Sequence, residues 1–208
     1  MIRIVTIDRE FGSGGNVIAA AVAERLRWRL WDQLLTDEIA RRLDCDSPSV
    51  AAVEERPNPT YYRLLRAFMR GSFEGNLNAP WLRPIDTDCV RTIAKEVQLE
   101  AAEAGNCVIV GRGSASYLAN RQDAFHVFVY APYRNKVRRL QLSGKSGEEA
   151  VALVESVDRD RAAFVKQYFD LEWPGIHRYH LMVNSNIGDA VATETILQAM
   201  ARYAEAHP

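Results

Sequence analysis

Cysteine is scarce in this chain of 208 residues: there are only three, scattered along the chain and without CxxC spacing. That pattern fits neither a disulfide framework nor a zinc site, so we expect reduced thiols. No apolar run approaches the roughly 18 residues that a membrane span needs, and the N-terminus lacks the basic-then-apolar plan of a signal peptide. The sequence therefore predicts a soluble, cytoplasmic protein that does not bind membranes.

A large excess of one charge is also missing, because the formal net charge is -1. A near-neutral chain gives no overall electrostatic case for binding nucleic acid or an anionic membrane. The composition, 48% hydrophobic and 25% charged, is that of an ordinary globular protein, and the length favours one domain. Nothing in the sequence indicates an oligomeric state.

Short apolar runs alternate along the chain with segments of helical periodicity. The predicted strands are residues 2–7, 30–32, 107–110, 126–130 and 181–183. The predicted helices are residues 17–29, 33–43, 60–70, 88–104, 148–168 and 189–204, with a further basic helix opening at 131–132 and Asp189 as the cap of the last. This alternation predicts an α/β fold of three layers with a mostly parallel sheet, in which ligands bind at the carboxyl ends of the strands.

Residues 44–84 differ in composition from the rest, because five of the eight prolines lie there. Long loops inside a compact domain are usually functional or mobile.

A glycine-rich turn lies between the first predicted strand and the first predicted helix. It consists of Gly12, Ser13, Gly14 and Gly15. Strand, glycine loop and helix in this order usually aim unpaired backbone N–H groups and the positive end of a helix dipole at a phosphate. The alternative is a flexible turn without a ligand.

Two phosphate-binding templates compete for this turn. The dinucleotide fingerprint GxGxxG uses Gly12 and Gly14, with Asp32 as the ribose-binding acid, but Val17 replaces its third glycine. The longer loop GxxxxGKS/T has the right length, but Gly15 stands at its lysine position and Asn16 at its hydroxyl position.

Five segments together resemble one known family in the same order. They are residues 7–15, 107–114, 126–132, 136–139 and 158–161. These segments are similar to the cytidylate kinase-like proteins, a branch of the P-loop nucleoside monophosphate kinases in which the loop lysine is commonly absent. The resemblance implies a P-loop NTPase-type core of residues 1–31, 107–142 and 180–208. It also implies an acceptor-binding insertion at 32–106 and a lid at 143–179.

The resemblance implies that residues 12–16, Gly12, Ser13, Gly14, Gly15 and Asn16, hold the phosphates of the donor nucleotide, ATP. Arg9 would supply the positive charge that the missing lysine would have given. The alternative reading of Arg9 is a surface arginine paired with Glu10.

Arg112 lies between two glycines at the end of a buried strand, and by resemblance its guanidinium fork would hold the acceptor monophosphate. The alternative is a structural salt bridge. Either Lys136 or Arg139 would also reach the acceptor. Asp32 is a further candidate for an acceptor contact, or else a cap of the following helix.

Arg159 and Arg161 would be lid arginines that stabilise charge on the transferring phosphoryl group. Their alternative role is an ordinary charged helix face, because Asp158 and Arg161 are spaced as an i,i+3 pair. Magnesium is implied as well, and Asp8 is the candidate metal ligand.

The predicted function is transfer of a phosphoryl group from ATP, with Mg²⁺, to a small acceptor, CMP or another nucleoside monophosphate. Two alternatives stay open. The missing lysine and hydroxyl favour a catalytically inactive nucleotide-binding regulatory module, and the Pro-rich middle favours a kinase of a non-nucleotide acceptor.

Overall fold

The computed structural model describes residues 1–32, 34–35, 38–39, 41–42, 87–169 and 172–208. The Pro-rich segment 44–84, with its predicted helix at 60–70, lies outside the described residues. The strands are β1 (Ile4–Arg9), β2 (Arg29–Trp31), β3 (Cys107–Val110), β4 (Ala124–Tyr130) and β5 (Leu181–Asn184). They form one parallel sheet in the order β2-β3-β1-β4-β5, so the predicted α/β fold with a mostly parallel sheet is confirmed.

Six helices follow the strands through the described part of the chain. They are α1 (Gly15–Leu26), α2 (Thr87–Ala104), α3 (Ser114–Tyr117), α4 (Tyr133–Leu142), α5 (Gly147–Phe169) and α6 (Asp189–Ala206). Residues 34–35, 38–39 and 41–42 are also helical, in agreement with the helix predicted at 33–43. None of these described helices is both long and apolar enough to cross a membrane.

The sheet is covered on both faces, which gives the predicted three layers. Val5 and Ile7 of β1 pack with α1 and α6, in a cluster that includes Ile18 and Ile196. Ile4, one residue earlier, faces the opposite layer, where it packs with α2. This division follows from the period of two in a strand, and it explains why β1 and β3 are buried along their whole length.

Helix α2 lies inside the segment predicted as an acceptor-binding insertion, and yet it helps to cover the sheet. Its Ile93, Val97 and Ala101 belong to the same buried cluster as Ile4 and Ile109. The division into core, insertion and lid remains a prediction.

Most predicted helix ends lie within one or two residues of the observed ones, and two differences have a clear physical cause. Helix α1 ends at Leu26 instead of residue 29, because Arg27 adopts a left-handed conformation (φ 57°) that terminates the helix. Strand β2 then begins at Arg29. Asp189 is not the cap of the last helix but its first residue, with Gly188 at the cap position. The Asp189 carboxylate accepts hydrogen bonds from Arg139 of α4 instead of capping its own helix.

Strand order excludes the dinucleotide-binding fold as the explanation of the glycine turn. In that fold the first two strands are neighbours, whereas here β3 lies between β1 and β2. The same order brings the glycine turn after β1 close to a second glycine turn, residues 111–113, since Ile7 near the end of β1 is in register with Val110 at the end of β3. The Gly111 N–H donates to the Ile7 carbonyl at 3.0 Å, which continues the pairing into the second turn.

A buried histidine makes the stability of this fold depend on pH. His126 of β4 lies 2.7 Å from the Thr6 hydroxyl through Nδ1, and burial, aided by His180, lowers its pKa to about 4. The pKa of an unfolded histidine is about 6.5, so the stabilising contribution is complete above that pH and is lost as the pH falls toward 4. We expect the free energy of unfolding to drop by about 2 to 3 kcal/mol between pH 7.5 and 4.5 through this group.

Urea unfolding of the wild type and of His126→Gln at both pH values tests this expectation. The variant should show a flatter pH dependence, and His177→Gln, a change in an exposed turn, should keep the wild-type slope. Equal slopes for all three proteins would contradict the assignment.

Candidate active site

The glycine loop consists of the glycine-rich turn and the two residues before it, Glu10 and Phe11, so it spans residues 10–15 from the end of β1 to the first residue of α1. Gly12 and Gly14 have positive φ angles of 74° and 77°, and Gly14 is the residue that caps α1. Two hydroxyls hold the loop: Ser13 Oγ donates to the Glu10 carbonyl at 2.8 Å, and Ser185 Oγ donates to the Ser13 carbonyl at 2.6 Å. The first N–H groups of a helix have no partner within it, so this loop has the form of an anion site.

Side chains from other elements press directly on this loop. A Cβ on Gly12 would come within 3.2 Å of the Lys136 Cβ, and one on Gly14 within 2.5 Å of the Arg139 Nη1. A Cβ on Gly15 would lie only 2.5 Å from the Arg9 Cβ, so any side chain at this position would collide with Arg9. Glycine is therefore required here for close packing as well as for backbone conformation.

Arg9 lies between the two glycine turns and contacts both of them. Its side chain is only 6% exposed, its Nε donates to the Asn16 Oδ1 at 2.8 Å, and its Nη2 lies 3.7 Å from the Asp32 Oδ1. A Cβ on Gly111 would lie 2.2 Å from the Arg9 Nη1, so the second turn leaves room for this guanidinium. The alternative reading of Arg9 as a surface arginine is wrong, because β1 is central in the sheet and its last residue is enclosed.

The second glycine turn holds Arg112 in an unusual backbone conformation. Gly111, Arg112 and Gly113 have consecutive positive φ angles of 70°, 55° and 76°. Arg112 is 8% exposed, and its Nη1 donates to the backbone carbonyl of Asp32 at 2.9 Å. The predicted acceptor residues Arg112 and Asp32 are thus in direct contact, beside Arg9.

Arg161 reaches the glycine loop from α5. Its Nη1 donates both to the Arg9 carbonyl, at 2.7 Å, and to the Asp158 Oδ1, at 2.8 Å. Burial, together with nearby Arg9, lowers the pKa of Arg161 to about 10. The predicted i,i+3 pair with Asp158 exists, but it lies in the cleft and not on a solvated helix face.

Arg159 is the one predicted site arginine that the structure does not bring into this cluster. Its side chain is 74% exposed, and its Nε lies 3.9 Å from the Asp160 Oδ1. Two residues along a helix correspond to a rotation of about 200°, so Arg159 and Arg161 face opposite ways.

Lys136 and Arg139, the two predicted acceptor contacts on α4, both lie on the side of the glycine loop. The Lys136 Nζ is 3.2 Å from the Glu10 Oε2 and 3.4 Å from the Asp158 Oδ2. Arg139 makes a bidentate pair with Asp189, with both N–O distances at 2.8 Å. This position favours a contact with a ligand of the loop over a contact with an acceptor beside Arg112.

The described residues line a small cavity and a larger one beside the loop. The smaller, of about 10 Å³, has room for about one water molecule, and its lining includes Arg9, Gly12, Gly15, Asn16 and Arg161. The larger, of about 350 Å³, opens between α4 and the segment before α6. Its lining residues include Asn135, Arg139, Leu142, Asn186 and Asp189. Arg139 lines the larger cavity and also lies against Gly14, so this cavity is close to the loop.

Asp8, the predicted metal ligand, is buried beside Arg9. Its Oδ2 accepts a hydrogen bond from the Tyr179 hydroxyl at 2.9 Å. Burial raises the pKa of Asp8, although the Tyr179 hydrogen bond and nearby Arg9 act in the opposite direction. No group of three or more potential metal ligands occurs among the described residues. One carboxylate is nevertheless compatible with Mg²⁺, which usually takes one or two carboxylates together with substrate phosphates and water.

Three polar residues of this site were not predicted as site residues from the sequence. Glu10 pairs with Lys136, and Tyr179 binds Asp8. Asp158 was considered only as the partner of Arg161. Each makes a contact with a residue more than 120 positions away, as in the Phe11 N–H bond to Asp158. Local spacing carries no signal for such pairs.

Solved structures similar to this one share its fold over nearly the whole chain. An uncharacterized protein from Eubacterium ventriosum is 20% identical with a TM-score of 0.68, covering 97% of this chain and 99% of its own. Shikimate kinase from Bacteroides thetaiotaomicron is 17% identical with a TM-score of 0.53, covering 99% of each chain. Shikimate kinase from Acinetobacter baumannii is 16% identical, also with a TM-score of 0.53, covering 97% of this chain and 94% of its own.

No curated protein sequence matches the chain. The family model of the cytidylate kinase-like family, in contrast, matches residues 4–187, which include β1, both glycine turns, Arg161 and β5. The predicted resemblance is therefore confirmed, and the chain belongs to the cytidylate kinase-like family.

Proposed function

We propose that this protein transfers the γ-phosphoryl group of ATP, with Mg²⁺, to a small acceptor, namely CMP or another nucleoside monophosphate. The observation that carries this proposal is that the glycine loop lies beside two arginines, the buried Arg9 and the largely buried Arg161. Backbone N–H groups at a helix start and two guanidinium groups are the donors that suit a charged phosphoryl group.

The donor nucleotide would bind along the glycine loop. Its phosphates would lie on Gly12, Ser13, Gly14, Gly15 and Asn16. Its nucleoside would extend past Gly14 into the larger cavity beside Arg139, whose side chain borders both the loop and that cavity. Mg²⁺, when bound, would neutralise charge on the donor phosphates, with Asp8 as its protein ligand.

The acceptor would bind at the second glycine turn. Arg112 and Asp32 are joined by a hydrogen bond there, and Arg9 lies between them and the glycine loop. An acceptor phosphate held by Arg112 would attack the γ-phosphorus, and ADP would leave. The protein's part in this reaction is positioning and charge stabilisation, so the lack of an obvious general base is not an objection.

Arg9 would compensate for the missing loop lysine. It has the positive charge, and it is enclosed between the two glycine turns, within reach of both predicted substrates. A guanidinium presents two parallel N–H donors in a planar fork that fits two phosphoryl oxygens, whereas a lysine acts as a point charge without this geometry.

A nucleotide-binding module without catalysis is the second candidate. One observation favours it: Arg9, Lys136 and Arg161 each contact a carboxylate already, so an incoming phosphate must compete with Asp32, Glu10 or Asp158 for these cations. Such competition weakens the gain from each phosphate contact.

A coupled assay of ADP release over a panel of nucleoside monophosphates, run beside calorimetry of ATP binding, tests the proposal. Turnover with CMP or another nucleoside monophosphate supports it. Binding without turnover supports the regulatory module, and turnover only with a non-nucleotide hydroxyl compound assigns a different acceptor. The absence of ATP binding would overturn the phosphate-loop assignment itself.

A further inference from the structure

Asp158 joins three separate elements at the edge of the active site. Its Oδ1 accepts from the backbone N–H of Phe11 in the glycine loop and from the Arg161 Nη1 on its own helix, both at 2.8 Å. Its Oδ2 accepts from the Lys136 Nζ of α4 at 3.4 Å. One carboxylate therefore connects the loop, α4 and α5.

The backbone around Asp158 is fixed by apolar packing. Phe11 is buried in a cluster with Leu140 of α4 and with Ala150, Val154 and Val157 of α5. Val157, the residue before Asp158, is part of this cluster, so α5 is docked against the loop where the carboxylate meets the Phe11 N–H. Helix α5 therefore already closes over the glycine loop.

The same contacts determine which guanidinium nitrogen of Arg161 is left to bind a ligand. The Arg161 Nη1 is fully used by Asp158 and by the Arg9 carbonyl. The guanidinium also lies over the Trp173 ring, 5.2 Å from its centroid. The Nη2 atom, in contrast, is buried and has no hydrogen-bond partner among the described residues, while Arg161 lines the small cavity. Buried N–H groups without a partner are rare, and a catalytic role is one of their known explanations.

We propose that Asp158 is a positioning residue that locks α5 onto the glycine loop and thereby holds the Arg161 Nη2 toward the transferring phosphoryl group. The proposal rests on the function proposed above. This role requires no contact between Asp158 and the substrates. Asp158 acts by accepting a hydrogen bond from the Arg161 Nη1, and the Arg9 carbonyl accepts a second hydrogen bond from the same nitrogen.

The energetics support such a role. Asp158 is only 15% exposed, and burial raises its pKa despite the nearby Arg161 and Lys136. A buried carboxylate is tolerated only when donors satisfy it, and here these donors are the loop N–H and two cations. If α5 moved away, Asp158 would lose the Phe11 N–H and Arg161 would lose the Arg9 carbonyl in the same motion.

Asp158→Asn is the test variant, and Asp160→Asn is its matched control on the same helix. Asparagine keeps an oxygen for the Phe11 N–H but loses the charge that holds Arg161. We expect kcat to fall about 10- to 100-fold, with KM for both substrates changed less than about threefold. Asp160 contacts the exposed Arg159, so its variant should keep the wild-type kcat. Asp158→Glu, which retains the charge but displaces it, serves if the asparagine variant does not fold, and it should also lower kcat.

A double-mutant cycle with Arg161→Gln separates positioning from general structural support. If Asp158 acts through Arg161, adding Asp158→Asn to Arg161→Gln should lower kcat by less than about twofold further. Equal kcat values in the wild type, Asp158→Asn and Asp158→Glu would overturn the inference alone, as would a full multiplicative loss in the double variant. A wild type without turnover on any acceptor would overturn the proposed function and this inference with it.

Discussion

Replacing Arg9 with glutamine should lower kcat/KM for phosphoryl transfer by about 100- to 1000-fold, the usual result of removing one preorganised donor from a developing negative charge. Arg9 is an enclosed cation that lies against both glycine turns, and residues 12–15 include no lysine to share its role. Glutamine preserves hydrogen-bonding capacity toward Asn16 but removes the charge. Steady-state ADP release with the preferred acceptor measures the effect, and calorimetry shows how much of the loss lies in ATP binding.

Two further variants make this test specific to the position of the guanidinium. Arg25→Gln, an exposed arginine of α1 that pairs with Glu194, removes the same charge away from the site and should leave kcat/KM within about twofold. Gly111→Ala should reproduce much of the Arg9→Gln loss, because its Cβ would occupy the space of the Arg9 Nη1 at a backbone conformation that alanine rarely adopts. Wild-type activity in Arg9→Gln would refute the compensating role.

Replacing Arg161 with glutamine should lower kcat by about 100-fold or more, with a smaller change in KM for ATP. One guanidinium nitrogen has no partner among the described residues, and Arg161 lines the small cavity, so its contact with phosphate would form mainly when the phosphoryl group is in place. Kinetics with ATP and the acceptor varied in turn measure kcat and both KM values.

Arg159→Gln is the matched comparison, because both arginines were predicted as lid residues and they lie on the same helix. The exposed position of Arg159 leads us to expect less than a twofold change in kcat. Thermal unfolding of both variants checks that a loss in Arg161→Gln is not a loss of fold. A larger effect from Arg159→Gln than from Arg161→Gln would mean that α5 presents its other face to the substrate during turnover.

The fold was largely predictable because its signals are local. The apolar strands β1, β3 and β4, the glycine turns after β1 and β3, and the long helix α5 all have recognisable patterns over a few residues. Boundary errors arose where a single residue changed conformation, as Arg27 does at the end of α1.

The site was predictable in its residue types but not in its contacts. Arg9, Arg112 and Arg161 were singled out by their positions beside glycines or within a family segment, and the structure brings all three to one edge of the sheet. Arg159 was grouped with Arg161 because a sequence segment does not state which face of its helix is docked. The partner of Arg139, Asp189, lies fifty positions away and was assigned to capping instead.

The sequence by itself determined the alternating α/β plan, the glycine loop between the first strand and the first helix, and the family of the chain, because each depends on residue types at short spacing. Only the tertiary structure decided that the lysine-less loop is paired with a buried arginine held between two glycine turns. It alone decided that Asp158 connects the loop, α4 and Arg161, because these contacts depend on the strand order and on the docking of α5. Burial and pairing of charges are set by which elements pack together, and that is a property of the whole fold.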